Sequence, residues 1–409
     1  MDISRLRLGA LKAHRFDPTG GLDPTDVAIL AVLNSPELAA KRAAAKVAGA
    51  QAFAAGLLPD PQVALSADFP VHPQGLVTAY GVTPSIDLLG LVTHSAALKA
   101  ARASARQADL DLLWSEWSAA QQARQLAVTA LGNEAKSAVL KAIDEGLAEQ
   151  YRQSNLAYQR HDLTSQVTSA DLAAKLDADA QLAIATHDAL KARGDLNALI
   201  GLEPGVRLNL VAGAPPVDPP AIALDTALAS LPDRRPDLLA LKAGYGAQDA
   251  VLRKAILSQF PLINLGYSRQ RDTGGILTNG VAATIVIPIF NRGRGEIAIQ
   301  TASRERLRQE YQARLDQTVA DVAAARRDLA GDHANLVRLE AEVPRLLAMA
   351  DRARAAFRRG DLESGPQLAL EQAALRQEVA LLDLRLALVL ADISLETVLF
   401  LPSDEGAQP

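Results

Sequence analysis

The chain has 409 residues, 49% of them apolar but only 4% aromatic, with a formal charge of −5 and no cysteine. The length allows two or three ordinary domains, and so few aromatics argue against a thick globular core. The charge gives no nucleic-acid footprint, and the missing thiols exclude disulfides and thiolate chemistry while leaving the redox compartment undecided.

The opening MDISRLRLGALKAHRFD has no apolar stretch of signal-peptide length. That leaves either a cytosolic protein or a mature or trimmed chain with an added Met1, and the β-like stretches below favour the second. Residues 1–22 read as an extended arm. Thr25 and Asp26 mark a helix start, with the aspartate near the positive helix end. That helix is expected to run to about Gly56, where Pro59 and Pro61 stop it.

Two β stretches follow, 62–69 and 76–87. A helical stretch without proline then runs from Ile86 to Glu203. Residues 96–160 read as one helix of about 97 Å at 1.5 Å per residue, a rod no globular domain encloses. It breaks at His161–Ser165 and returns through 168–200. Nowhere are 18 apolar residues consecutive, so no transmembrane helix is expected. The segment 203–222, ending APPVDPP and its flank, reads as an extended linker.

The plan then repeats. PELAAKRAAAKVAGAQAFAAGLLPDPQVAL at 36–65 aligns with PDLLALKAGYGAQDAVLRKAILSQFPLINL at 236–265, an offset of 200, with Pro36, Leu38, Pro61 and Leu65 matched. Stretches 262–271 and 278–290 read as strands joined at Asp272-Thr273-Gly274-Gly275, a hairpin turn signal. Val281, Ala283, Ile285 and Ile287 fall on one strand face. A second helical hairpin covers 296–400, broken at Gly360–Pro366, and 403–409 is a tail. The fold class is mainly α with a small β part: two repeats, 23–202 and 223–402, each a strand pair plus a long helical hairpin.

LAVLNSPELAAKRAAAKVAGAQAFAAGLLPDPQVALS, SLPDRRPDLLAL, VIPIFNRGRGEIAIQTA, NALIGLEPG and TVLFLP occur in order along the chain. Together they resemble the bacterial outer membrane efflux proteins, the TolC-like outer membrane factors, with AGLLPDP nearest the heavy-metal, CzcC-like branch. The resemblance covers about residues 22–402. It implies a homotrimer in which each chain lends four strands to a shared outer-membrane β-barrel, continued by a trimeric α-helical barrel across the periplasm. It also implies docking on a periplasmic adaptor protein and an inner-membrane efflux pump. Two departures stand out. Leu89-Gly90-Leu91-Val92 replaces the family's basic turn, whereas Asn291-Arg292-Gly293-Arg294 keeps it. The strands are poor in aromatics, leaving Phe69, Tyr80 and Tyr267 as girdle candidates.

The helix turns YQRHDLTS at 158–165 and FRRGDLES at 357–364 repeat at an offset of 199. A reversal needs a break, supplied by Gly360 and His161, with Asp and Ser capping the freed donors. The resemblance makes these the adaptor-docking tips: Arg160, Asp162, Leu163, Ser165, Arg359, Gly360, Asp361, Leu362 and Ser364. Leu163 and Leu362 would be exposed apolar knobs. The plainer reading is a pair of capped helical turns. Just beyond, Asp171 and Glu371 are the candidates for an acidic pore constriction; Ala369, with Gln367 before it, stands where the family usually keeps an aspartate. The plainer reading there is solvated surface carboxylates.

The six histidines are scattered without ligand spacing. No Walker motif, nucleophile elbow or paired-carboxylate cleft is present. No enzyme, cofactor, metal site or nucleic-acid partner is therefore expected. The expected role is a passive duct in the outer membrane with a periplasmic extension. The rivals are a periplasmic adaptor and a coiled-coil structural protein without a pore.

Overall fold

The computed structural model describes residues 20–71, 74–212, 221–286 and 290–400. Most of the expected N-terminal arm, the linker segment 213–220, residues 287–289 of the expected fourth strand and the tail 403–409 lie outside them. The element order is α1 (Pro24–Asn34), α2 (Pro36–Ala54), β1 (Gln62–Asp68), β2 (Ala79–Asp87), α3 (Leu88–Gln159) and α4 (Ser165–Ile200). The same sequence of element types follows in α5 (Ala221–Arg234), α6 (Pro236–Leu257), β3 (Leu262–Arg271), β4 (Leu277–Val286), α7 (Arg294–Arg359) and α8 (Ser364–Leu399).

The helix expected from Thr25 to Gly56 is two helices. Its start is set by Asp23, whose Oδ1 accepts from the Thr25 and Asp26 amides at 2.8 Å each. Asp26 Oδ2 accepts from the Asp23 amide at 3.2 Å, completing a capping box with Pro24 as the first helical residue. The break comes at Ser35, held extended at ψ 123° before Pro36. Proline has no N–H to give and its ring excludes helical geometry from the preceding residue. Arg235 before Pro236 repeats the break, at ψ 119°. The prolines that align the two sequence copies thus divide helices in both.

The chain separates into two compact units, each built from both halves of the sequence. One comprises Met1–Ala39, Ser115–Leu231 and Gln317–Pro409. Its core is a series of small clusters along the helices rather than one mass. The largest joins Val27 and Ala31 of α1, Ala123, Ala127 and Ala130 of α3, and Leu196 and Ile200 of α4. Alanines three and four apart lie on one helical face, and their small size lets backbones approach. Further along, Leu140, Ala185 and Val379 form one cluster, and Leu147, Ala174, Ala178 and Leu368 another. The α8 end is fastened to α3 by Trp117, whose indole N–H donates to the Thr397 carbonyl at 3.1 Å while its ring meets Phe400 edge-on at 5.0 Å. An Arg124–Glu396 pair at 2.5 Å adjoins them.

Residues past α4 run back along the same helices. Gly201, at φ +78°, ends α4 in a left-handed cap. Asn197 Nδ2 then donates to the Val206 carbonyl at 2.8 Å, and Arg193 to the Leu208 carbonyl at 2.8 Å while it pairs with Glu134. Leu22 and Leu210 form a parallel bridge.

The other unit comprises Ala40–Trp114 and Pro232–Asp316. It holds the sheet, in the order β1-β2-β3-β4 with every pair antiparallel. Near the start of α6, the Arg235 guanidinium lies 4.6 Å over the Trp114 ring and pairs with Asp237 at 2.7 Å, both charges buried. Burial there raises the Asp111 carboxyl above its ordinary value, opposed by a hydrogen bond from Gln107 and reinforced by the charge of Asp237.

Replacing Asp23 with Ala removes the side-chain half of the α1 cap. The expected cost is about 1 kcal/mol, read as faster hydrogen exchange at Thr25 and Asp26 with α6 unchanged. Unaltered exchange there would mean that packing, not the cap, holds this start.

Candidate functional site

The strand registers separate the sheet residues into two chemically opposite faces. Pairs Leu65↔Val82 and Ala67↔Tyr80 on the first ladder, Val82↔Arg269 and Ile86↔Leu265 on the second, and Tyr267↔Val281 and Leu265↔Ala283 on the third fix the alternation. One face carries Val63, Leu65, Tyr80, Val82, Ile86, Leu265, Tyr267, Val281 and Ile285, every one of them exposed. The other carries Gln62, Ser66, Asp68, Thr83, Ser85, Asn264, Ser268, Gln270, Thr278 and Thr284, with glycines at 81, 266 and 280. The glycines sit where that face is crowded. A Cβ on Gly81 would come within 2.7 Å of Ser66 Oγ. Large apolar side chains facing outward, with small polar ones behind them, are what a strand needs when it separates hydrocarbon from water. The strands of 9 or 10 residues, β2 to β4, also have the length to cross a membrane at a tilt.

The sheet does not close on itself. β1 and β4 are its outer strands, each paired on one side only among the described residues. β1 and β3 each follow a helix at one end of the sheet, β2 leads into α3 there, and the chain leaves β1 after Asp68 and β3 after Arg271 at the other end. The turn after β3 follows the sequence signal. Gly275 has φ +86° and donates to the Asp272 carbonyl at 3.1 Å, and Asp272 Oδ1 accepts from the Ile276 amide at 2.9 Å.

The two helix turns have the same hydrogen-bond pattern at an offset of 199. Asp162 N donates to Ala157 O at 2.9 Å and Asp361 N to Ala356 O at 3.0 Å. One residue earlier, His161 N reaches Tyr158 O and Gly360 N reaches Phe357 O, both at 2.9 Å. The reversing residues are left-handed, His161 at φ +63° and Gly360 at φ +79°. Each turn is therefore a Schellman cap, and His161 takes a conformation that costs a non-glycine residue about 1 kcal/mol.

Other expectations for these turns differ in detail. Leu163 and Leu362 are half-buried in the single chain rather than fully exposed knobs. Neither Asp162 nor Ser165 is the cap of α4. Thr164 holds that position, as Glu363 does for α8, and neither makes a side-chain cap bond. Asp361 instead pairs with Arg359 at 2.9 Å, both exposed. Arg160, Asp162 and Ser165 are exposed. Ser364 begins α8, and its side chain lies outside the described residues.

Asp171 and Glu371 are buried, at 3% and 5% exposure, and each is held across its own hairpin. Gln150 of α3 donates to Asp171 Oδ1 at 2.9 Å, and Arg354 of α7 pairs with Glu371 Oε1 at 2.5 Å. In the single chain these carboxylates are neither solvated surface groups nor bare ones. Sequence reading missed their partners, which stand 21 and 17 residues away on facing helices.

A third carboxylate site was also missed. Asp144 of α3 meets Asp179 of α4, which pairs with Lys175, and Asp144 Oδ1 is enclosed without a hydrogen-bond partner. Burial raises the Asp144 carboxyl above the ordinary 3.8, and its hydrogen bond with Asp179 and the charges of Asp179 and Glu145 add to this, against Lys175. Asp179 is lowered, first by Lys175 and then by Asp144. A raised carboxyl contributes stability at low pH and loses it as pH rises through its folded value; a lowered one does the reverse. The hairpin is thus best held here in the interval between the lowered Asp179 and the raised Asp144. Asp144→Asn keeps a donor without the charge. It should raise the melting temperature at about pH 7.5 and lose that gain near pH 4; an equal gain at both would exclude ionisation as the cause.

No protein-family model matches the sequence, and no curated protein matches it. Solved structures do match, over nearly the whole chain. The outer membrane channel CmeC of Campylobacter jejuni is 15% identical with a TM-score of 0.80, covering 98% of this chain and 92% of its own. The outer-membrane channel OprN is 18% identical with a TM-score of 0.79, covering 94% and 90%. The open state of the MtrE outer membrane channel of Neisseria gonorrhoeae is 17% identical with a TM-score of 0.72, covering 94% and 91%. At these identities the likeness establishes architecture: the chain has the fold of these outer-membrane channels.

Proposed function

We propose that this chain is the outer-membrane component of a tripartite efflux system, a passive trimeric duct for substrates delivered by an inner-membrane pump and a periplasmic adaptor. The observation that carries this reading is the two-faced sheet with two open edges. An apolar face of this extent belongs against hydrocarbon, and a strand edge left unpaired there strands its N–H and C=O groups at several kcal/mol each. Pairing β4 of one copy with β1 of the next removes every edge. Three copies make a barrel of twelve strands, within the range of outer-membrane barrels. The fold likeness to outer-membrane channels supports the same arrangement. A pore-free adaptor or coiled-coil protein gives no reason for an exposed apolar sheet face backed by small polar residues. AGLLPDP, the link to the heavy-metal branch, falls at the junction of α2 and β1 and carries no cargo chemistry.

In this reading the Schellman turns are the periplasmic tips, with Arg160 and Arg359 offered to acceptors on the adaptor. Asp171 and Glu371, just past the tips, supply the narrow acidic part of the tunnel. They reach the lumen only where Gln150 and Arg354 release them, so opening and charge exposure are linked.

Two outcomes test this. Extracted with detergent, the protein should run as three chains per particle and conduct ions in a planar bilayer. A monodisperse monomer without detergent, retaining full helix content, would sink the reading. Arg160→Glu with Arg359→Glu should leave the trimer and its conductance intact while abolishing adaptor-dependent export. Unchanged export at equal expression would remove the turns from the docking role.

A further inference from the structure

The apolar face of the sheet is not apolar throughout. At the end carrying the turns it bears Arg269 and Arg271, two residues apart on β3 and hence side by side on that face. Their neighbours across the ladders are Val82 and Tyr80 of β2, and Asn279 and Leu277 of β4. Among the described residues, neither guanidinium has a carboxylate partner within ion-pair distance. The nearby acids are directed elsewhere: Asp68 is on the polar face, and Asp272 is engaged with the Ile276 amide at 2.9 Å. Two adjacent uncompensated charges follow an uninterrupted apolar stretch, Leu265 and Tyr267 on β3 and Val281 and Ile285 on β4.

Charge on a hydrocarbon-facing strand costs about 2–4 kcal/mol at mid-membrane and close to nothing at the interface. The pair is therefore tolerable only at a membrane surface. Since β1 and β3 follow their helices and β2 enters α3 at the opposite end, that surface is the one away from the helices. A ligand matching this strip has an acyl body for the apolar stretch and a compact anion of about two charges for the arginines. A phosphate monoester carries about −1.5 to −2 at neutral pH and accepts forked bonds from guanidinium. A phosphodiester headgroup carries only one charge.

Resting on the membrane reading above, we infer that Arg269 and Arg271, with Asn279 beside them, form a site for a lipid bearing a phosphate monoester, held at the sheet surface farthest from the helices. The site is a fixed lipid contact of the barrel exterior, separate from the duct.

The test uses the full-length protein in mixed micelles with dioleoyl phosphatidic acid, phosphatidylglycerol or phosphatidylcholine, and with inorganic phosphate alone. Native mass spectrometry reads retained lipid, and a thermal melt reads stabilisation. Phosphatidic acid should be retained about tenfold more strongly than the other two and raise the melting temperature, a factor equal to one charge-assisted bond of about 1.4 kcal/mol. Arg269→Gln with Arg271→Gln should abolish that preference while leaving particle mass and the lipid-free melt unchanged. Equal retention by the double variant, equal retention of phosphatidylglycerol, or equal stabilisation by inorganic phosphate would each overturn the assignment. A protein that needs no detergent and runs as a monomer fails the membrane reading before any lipid is added, so the two failures are distinguishable.

Discussion

Hydrocarbon offers no partner for a backbone N–H or C=O, and on the proposed membrane reading that one constraint organises this protein. Four strands whose apolar face is broken only toward its turn end, by Arg269, Arg271 and Asn279, then belong in such a medium, yet their outer edges on β1 and β4 cannot stay there unpaired. On that reading the stability of the sheet is inseparable from its pairing with further copies. The small residues of the polar face answer crowding between adjacent strands. A Cβ on Gly81 would come within 2.7 Å of Ser66 Oγ on the next strand, so the position can carry no larger side chain without displacing its neighbour.

The helical parts meet a different constraint. Helices as long as the 72 residues of α3 have too much surface for a shared central core. Alanine and leucine clusters placed every few turns replace it, and polar links lie between them: Arg193–Glu134, Arg124–Glu396, Gln150–Asp171, Arg354–Glu371. Most of the charges involved are partly exposed, and such pairs contribute little free energy individually. Their value is register. Small apolar clusters of similar shape tolerate sliding, whereas a forked arginine on one carboxylate does not.

Where the hairpins reverse, local chemistry and proposed function occupy the same few residues. A Schellman turn demands a left-handed residue, which Gly360 supplies freely and His161 supplies with strain. Strain kept in one turn and absent from its counterpart makes the two tips energetically unlike, although their hydrogen bonds coincide.

The sequence by itself determined where the strand stretches and the reversal points fall and the 199-residue offset between the reversals. These are written in local signals: proline and glycine, Ala-rich helix, the Asp272–Gly275 turn. The breaks at Pro36 and Pro236 are written there too, since a proline disfavours helical geometry in the residue before it. What only the tertiary structure decided concerns direction and partnership. Leu163 and Leu362 are half-buried, Asp171 and Glu371 are enclosed, Asp144 meets Asp179, and Arg269 and Arg271 share the apolar face. The physical reason is that a side chain's partners are set by the register of one helix or strand against another 20 or more residues away. Sequence periodicity fixes which residues share a face, but not which neighbour that face will meet.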